Sequence, residues 1–161
     1  MDLRIRPLRD TDIERVVELS LLAWAPVFAS WEEILGPDIF PIVFPDWRKT
    51  QAESVESALR DAGKHAVCGE LGGTVVAFLV YELSDESGTG EIYMVAVHPD
   101  YQGRGFGVEL NQYALDRMKE AGMKVAYVGT GGDPGHAPAR RSYEKVGFNV
   151  ALPGVHYYKR L

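Results

Sequence analysis

One glycine-rich turn is the clearest place in this sequence where chemistry could occur. The run Gln-Gly-Arg-Gly-Phe-Gly at residues 102–107 follows an apolar, strand-like segment and leads directly into a helical pattern. Glycines in such a turn let bare backbone N–H groups approach a ligand closely, and the N-terminus of the following helix adds partial positive charge. The turn therefore predicts a site for a phosphate or pyrophosphate.

The spacing of this turn excludes two common phosphate loops. A P-loop would end in Gly-Lys-Ser or Gly-Lys-Thr, but Gly107 is followed by Val108 and Glu109. A dinucleotide-binding turn would carry a third glycine at position 110, which is leucine here. What remains is Gln-x-x-Gly-x-Gly after a Val-x-Val strand, and this pattern resembles the acetyl-CoA loop of the GCN5-related N-acetyltransferases.

The resemblance implies how a cofactor would be held. In that family, successive loop amides hold the CoA pyrophosphate, and the backbone of the preceding strand pairs with the pantetheine arm. The expected cosubstrate is acetyl-CoA. Carried over to this sequence, the cofactor-binding residues are Val95, Ala96, Val97, Gln102, Gly103, Arg104, Gly105, Phe106, Gly107 and Val108.

A second motif supports the same family. Residues 136–148 read His-Ala-Pro-Ala-Arg-Arg-Ser-Tyr-Glu-Lys-Val-Gly-Phe. The family pattern is Asn-x-x-Ala-x-x-x-Tyr-Glu-Lys-x-Gly-Phe, so this sequence departs from it only by having His136 at the asparagine position. Because the two motifs occur in the family's order and separation, the sequence is identified as a member of the GCN5-related N-acetyltransferases.

Acyl transfer from a thioester to an amine needs a neutral amine, a stabilised oxyanion and a protonated leaving thiolate. A thiol titrates near 8.5 whereas a tyrosine titrates near 10, so a tyrosine stays protonated at neutral pH and can donate to the sulfur. The resemblance places Tyr143 by the sulfur, which makes it the expected general acid. The alternative is that Tyr143 only packs on the ligand or core. The expected oxyanion donors are backbone N–H groups around Val95–Val97, freed where the central strand parts from the next strand.

The general base stays open between three residues. An alkylammonium, with a pKa near 10.4, must lose a proton before it can attack. Glu91 lies where the histone-acetylating branch of the family carries a catalytic glutamate, and strict alternation puts it on the face of Val95 and Val97; it would act through water. His98 and His136 offer an imidazole with a suitable intrinsic pKa. His98 is expected to be mostly structural, and the alternative for His136 is that it replaces the hydrogen bond of the family's asparagine to cofactor or acceptor.

The acceptor is expected to be a small primary amine, enclosed by helices rich in aromatic residues. The alternative, favoured for most of these residues, is that they pack in the core. The branch that acetylates ribosomal protein N-termini has a glutamate where this sequence has Gly131, so a protein N-terminus is disfavoured. With no cysteine in either motif, the expected mechanism is direct transfer in a ternary complex. Two alternatives stay open: a protein-lysine acetyltransferase, and a non-catalytic acyl-CoA-binding regulatory module. The aromatic residues are Trp24, Phe28, Trp31, Phe40 and Trp47.

Composition sets the class of protein. The chain has 161 residues, a net charge of -6 and no linker-like segment, so residues 1–161 are expected to form a single N-acetyltransferase domain. The acidic balance argues against nucleic-acid binding. The N-terminus has no apolar signal-peptide region, no run is long enough to cross a membrane, and no metal-ligand cluster is seen, so we expect a cytoplasmic protein without a metal. A homodimer is possible by analogy with relatives.

Periodicity predicts a mixed α/β fold: one GNAT-like domain whose mostly antiparallel central sheet is flanked by helices. Helical spacing runs from Ile13 to Trp24 and again from Val27 to Leu35, and the proline-broken stretch 36–45 is predicted to be a loop. A glycine-rich segment, 131–135, is also predicted to be a loop. The expected strands lie at residues 3–7, 64–70, 74–83, 91–97, 125–130, 148–152 and 155–159.

Overall fold

A computed structural model describes residues 2–161 and contains one five-stranded sheet in the order β1-β2-β3-β4-β5. The first three strand pairs are antiparallel and the β4–β5 pair is parallel, which confirms the expected mixed, mostly antiparallel sheet. The strands are β1 (Arg4–Pro7), β2 (His65–Leu71), β3 (Thr74–Ser84), β4 (Thr89–Val97) and β5 (Val125–Val128). The helices are α1 (Ile13–Val43), α2 (Trp47–Arg60), α3 (Phe106–Glu120) and α4 (Ala137–Lys145).

Helices cover both faces of the sheet. On one face, the buried side of α3 packs on the sheet through Phe106, Leu110 and Ala114. On the other face, α1 and α2 bury Val16, Leu19 and Val55 against the sheet. Each helix contributes an apolar stripe at helical spacing, and burying these stripes supplies most of the stability of such a layered domain.

A β-bulge at Tyr93 corrects the expected alternation along β4. Val80 pairs with Met94 and Tyr81 pairs with Ile92, so Tyr93 is the extra residue on the β4 side. The bulge reverses the faces that follow it. Ile92 therefore packs on the α3 side together with Val95 and Val97, whereas Met94 packs on the α1–α2 side. The prediction that Glu91 shares a face with Val95 and Val97 is wrong, because Glu91 precedes the bulge.

The segment predicted to be a loop at 36–45 is largely helical. Gly36 adopts φ 74°, which breaks the helical path, and a second helical stretch then continues to Val43 within α1. Pro37 lies in the first turn of that stretch, where the missing N–H would have had no intrahelical partner. Of the two prolines in this stretch, only Pro41 is placed where it removes a helical hydrogen bond, and the stretch remains helical despite that loss.

The two C-terminal strands predicted at 148–152 and 155–159 are not formed. Residues 149–161 have no regular secondary structure, and Val150, Leu152 and Tyr157 are more than 90% exposed. Alternation is a local signal, but a strand exists only where its backbone groups pair with a neighbour. These residues do not pair with the outer edge of β5. Val125 of β5 instead lines a groove of about 300 Å³ together with Phe148 and Val150.

A buried ion pair joins β1 to the start of α1. The guanidinium of Arg6 donates to both carboxylate oxygens of Asp12, at 2.7 and 3.1 Å, and its Nε donates to Glu70 at 2.9 Å. Arg6 and Asp12 are each 9% exposed. The hydrogen bonds from Arg6 hold the pKa of Asp12 below its usual value against the opposing effect of burial.

Candidate active site

The sheet opens between β4 and β5. The two strands pair only from Thr89–Val125 to Ile92–Val128, while β4 continues to Val97. Beyond Ile92, the side of β4 that faces away from β3 therefore has no β5 partner. Apart from the Val97 carbonyl, which accepts from Gln102, the backbone N–H and C=O groups on that side can bond a ligand that enters the opening. The family resemblance implied a parting of this kind around Val95–Val97.

The glycine loop lies at the carboxyl end of β4. The side-chain amide of Gln102 donates to the carbonyl of Val97 at 2.9 Å, which ties the loop back to the strand. Gly103 and Gly105 have φ values of 75° and 90°, which favour glycine because other residues meet a Cβ clash there. The turn ends at Phe106, where α3 begins. The first N–H groups of that helix lack intrahelical partners and can donate hydrogen bonds to an anion.

Tyr143 lies on α4, close to the first turn of α3. A Cβ added to Gly107 would lie 3.4 Å from Oγ of Ser142, the residue before Tyr143. Tyr143 is 9% exposed and its ring meets that of Phe148 edge-on at 6.0 Å. Burial raises the pKa of Tyr143 to about 12, so its hydroxyl is protonated at neutral pH. Tyr143, the expected general acid, thus lies on the helix next to α3, and α3 is the helix that follows the glycine loop.

His136 forms a close pair with Asp133. Nδ1 of His136 lies 2.6 Å from Oδ1 of Asp133, and the indole Nε1 of Trp31 donates to the same oxygen at 3.1 Å. Burial alone would raise the pKa of Asp133, but the hydrogen bonds from His136 and Trp31 hold it below its usual value. The carboxylate is therefore ionised at neutral pH and buried, with 8% of its side chain exposed.

The loop that carries this pair is held from several sides. Arg140 donates to the carbonyl oxygens of Gly131 and Asp133, at 2.6 and 2.8 Å. From α1, Oγ of Ser30 accepts from the backbone N–H of Gly135 at 3.2 Å. These contacts hold residues 131–135 in place, a segment that the sequence predicted to be a loop.

Asp133 is a residue of this candidate site that sequence reasoning missed, and its contact with Trp31, which the sequence named only among the aromatic residues around the acceptor, was not predicted either. The spacing Asp-Pro-Gly-His at 133–136 is a usable signal, because residues three apart in a helical turn lie side by side. The contact with Trp31 has no local signal, since it depends on α1 packing against a loop about one hundred positions later.

Aromatic rings of α1 and of the start of α2 surround Trp31. Phe28 stacks on Trp47 with ring centroids 4.3 Å apart, and Trp31 stacks on Phe44 at 5.2 Å. Phe28 and Phe40 are buried at 7% exposure each. Trp24 instead packs on Phe78 in the sheet core, at 6.4 Å. We call Phe28, Trp31, Phe40, Phe44 and Trp47 the aromatic cluster; the ring of His136 lies 5.7 Å from that of Trp31.

Glu91 lies in the closed part of the β4–β5 pair, opposite Tyr127. On its other side it pairs with Glu82, which also binds Lys64 at 2.8 Å. Burial, followed by the negative charge of Glu82, raises the pKa of Glu91 above its usual value. His98 caps the turn before the glycine loop, with Nδ1 accepting from the N–H of Asp100 at 3.2 Å.

Within residues 2–161, no helix has an apolar stretch long enough to cross a bilayer. In the same part of the chain, no three His, Cys, Asp or Glu side chains are grouped so that they could hold a metal ion.

Comparison with known proteins agrees with this geometry. The model of the acetyltransferase (GNAT) family matches residues 23–148, most of the chain. The chain belongs to the GNAT acetyltransferase family. Its mixed five-stranded sheet parts between the parallel strands β4 and β5, next to the glycine loop.

The individual proteins that the chain resembles along most of its length share a modest sequence identity with it. A mycothiol acetyltransferase of Propionibacterium freudenreichii subsp. shermanii is 26% identical over 157 residues, which cover 96% of this chain but 46% of that protein. The chain thus spans about half the length of this curated relative. Among solved structures, PaiA N-acetyltransferase of Thermoplasma acidophilum in complex with coenzyme A matches with a TM-score of 0.67 at 16% identity, covering 94% and 92% of the two chains. An aminoglycoside N-acetyltransferase in complex with CoA matches at 0.65 and 15% identity, covering 99% and 96%.

Proposed function

We propose that this chain is an acetyl-CoA-dependent N-acetyltransferase that passes the acetyl group directly to a primary amine. The observation that carries this proposal is the opening between β4 and β5, which ends at the glycine loop and lies beside the helix of Tyr143. Family membership supports acetyl-CoA as the cosubstrate. The pantetheine arm would lie in the opening, and the pyrophosphate would bind the N–H groups of the loop and of the first turn of α3.

The reaction would use the groups that surround the opening. A free N–H of β4 near Val95–Val97 would bond the thioester oxygen as it gains negative charge. Tyr143 would give its proton to the departing sulfur, and burial keeps that proton in place because it raises the pKa to about 12. The C–N bond would form first, giving a tetrahedral intermediate, and the C–S bond would break as that intermediate collapses, so no acyl-enzyme is needed.

The acceptor would be a small amine bound against the aromatic cluster. The cluster lies next to His136 through Trp31, and His136 lies on the loop that follows β5. Small-molecule acceptors also agree with the names of the similar proteins, a mycothiol acetyltransferase and an aminoglycoside N-acetyltransferase. A cytoplasmic location and a homodimer are further parts of the proposal, which cell fractionation and light scattering would test.

The experiment is acetyl-CoA turnover, followed by thiol release with a panel of small amines, for wild type, Tyr143→Phe and the exposed-tail control Tyr158→Phe. We expect Tyr143→Phe to lose about 10²-fold or more in kcat, the usual size of a general-acid effect, with acetyl-CoA affinity unchanged by calorimetry. Equal rates in all three proteins would remove Tyr143 from this role. Tight acetyl-CoA binding without turnover of any amine would contradict small-amine acetylation and favour a protein-lysine substrate or a regulatory module.

A further inference from the structure

We propose that His136 is the general base of the reaction and that Asp133 is the residue that sets its tautomer and position. This inference rests on the proposed N-acetyltransferase function and deepens it, because it selects one of the three candidate bases. It also defines a specific pair, Asp133–His136, with Trp31 as the group that fixes it from α1.

The hydrogen bond between the two residues decides which nitrogen of His136 is free. An ionised carboxylate can only accept hydrogen bonds, so in the 2.6 Å contact with Asp133 the proton must lie on Nδ1 of His136. In a neutral imidazole, the other nitrogen, Nε2, then carries the lone pair. Asp133 therefore leaves Nε2 ready to take a proton, and it would stabilise the imidazolium that results.

The pair is built so that it cannot move easily. Trp31 donates to the same carboxylate oxygen at 3.1 Å, and Arg140 holds the Asp133 carbonyl at 2.8 Å. Only 16% of the His136 side chain and 8% of the Asp133 side chain are exposed. A surface pair would lose its geometry to solvent, whereas this one is held by a ring, a guanidinium and burial together.

The glycine at position 131 makes room for the pair. A Cβ added there would overlap Oδ1 of Asp133 and Nδ1 of His136. Any side chain at 131 would therefore make the two groups, or the backbone that carries them, shift from their present positions. The backbone φ of Gly131 is not positive, so space and not backbone conformation demands glycine at this position.

His136 is also placed suitably relative to the general acid. It directly precedes α4, and Tyr143 lies seven positions further on, about two helical turns and roughly 10 Å along the same side of the helix. Because β4 and β5 are parallel, the glycine loop and the loop of His136 follow carboxyl ends at the same edge of the sheet. An acetyl group near Tyr143 and an amine near His136 would thus meet across the opening.

The proton balance is complete with these two side chains. Nε2 of His136 takes one proton from the alkylammonium, and the neutral nitrogen attacks the carbonyl carbon. As the tetrahedral intermediate collapses, the C–S bond breaks and Tyr143 protonates the sulfur. The second N–H proton of the former amine is then lost and restores Tyr143. His136 releases its proton to solvent, so the net reaction liberates one proton for each amide formed from an ammonium ion.

The tautomer can be tested without any substrate. Long-range ¹H–¹⁵N spectra of the free protein should show neutral His136 protonated at Nδ1 in wild type. In Asp133→Leu, which offers Nδ1 no acceptor, the preference for a proton on Nδ1 should be lost. A purely packing role for Asp133 predicts no such change. Wild-type protein with Nε2 protonated would overturn the proposal, and His156→Asn, in the exposed tail, provides the assignment control.

Turnover tests the catalytic role. We expect His136→Asn, which restores the residue usual in the family, to lose about 10²-fold or more in kcat, and Asp133→Asn to lose at least about tenfold, with little change in acetyl-CoA affinity or melting temperature. Because the two act as a unit, the double variant should be no slower than His136→Asn. An active wild type with unchanged rates in both variants overturns this proposal alone. A wild type that acetylates no amine overturns the proposed function and, with it, the role of His136.

Discussion

The side-chain amide of Asn111, on α3, donates to Oγ of Ser142, on α4, at 2.7 Å. Asn111 is entirely buried, so the bond is one of few polar contacts in that interior. It joins the helix that follows the glycine loop to the residue just before Tyr143. The position of Tyr143, the proposed general acid, relative to the glycine loop therefore depends on one hydrogen bond between helices as well as on apolar packing.

We expect Ser142→Ala to lower the free energy of unfolding by about 1–3 kcal/mol, because it leaves the buried amide of Asn111 without its partner. Urea denaturation monitored by circular dichroism measures this loss. The neighbouring Arg141→Ala changes an exposed side chain and should stay within about 0.5 kcal/mol of wild type. Equal stability of the two variants would show that the hydrogen bond contributes little.

Gly131→Ala should reduce kcat by about as much as His136→Asn, because the added methyl group displaces Asp133 and His136 from contact. Gly132→Ala is the matched control, since its Cβ would meet nothing within 4 Å. Thiol-release rates for both variants, with the amine that wild type uses, provide the measurement. Wild-type activity in Gly131→Ala would show that the close pair is not needed.

Glu91→Gln should keep kcat within about tenfold of wild type, less than the loss expected for removing a general base. Glu91 lies in the closed part of the β4–β5 pair and its polar neighbour there is Glu82, whereas His136 follows the end of β5. Steady-state rates for this variant and for His136→Asn should be measured side by side. The opposite ranking would assign the base to Glu91.

Asp12→Ala should destabilise the fold by about 3–5 kcal/mol at neutral pH, because it leaves Arg6 buried with only Glu70 to balance it. Since the folded-state pKa of Asp12 lies below its ordinary value of 3.8, this contribution is complete above that pH. It is lost as the pH falls through the lower folded value.

The pH dependence of Asp12→Ala follows from this sign. Urea midpoints at neutral pH and at successively lower pH should show the difference between wild type and variant narrowing below about 3.8. Asp10→Ala, which changes an exposed neighbour, should show no such trend. A constant difference across this range would mean that packing and not charge explains the loss.

Sequence reasoning was most successful where function imposes a local pattern. The glycine loop and the Tyr143 motif each have particular residue types at fixed spacing, and they lie on the predicted elements: the loop between β4 and α3, and Tyr143 on the helix after β5. The bulge at Tyr93 has no comparable signal, since no glycine or proline marks it. It is created by how β3 and β4 pair, and it changes which face Glu91 occupies.

Two other differences have the same origin. The alternating residues after Phe148 read as strands, but a strand requires a partner, and none pairs with them in the part of the chain described. The Asp133–His136 pair has a local spacing, yet its burial and its contact with Trp31 come from α1. What depends on elements distant in the chain could not be read from any single stretch.

The close fit around Gly131 limits the order in which this protein could change over generations. The ribosomal N-terminus branch of the family, as the sequence pattern implies, has a glutamate at this position. A glutamate introduced here would overlap Asp133 and His136 as they stand, so they would have to move or be replaced. The glutamate and the close histidine pair in its present position are thus alternatives, and a change from one to the other would have to alter the pair.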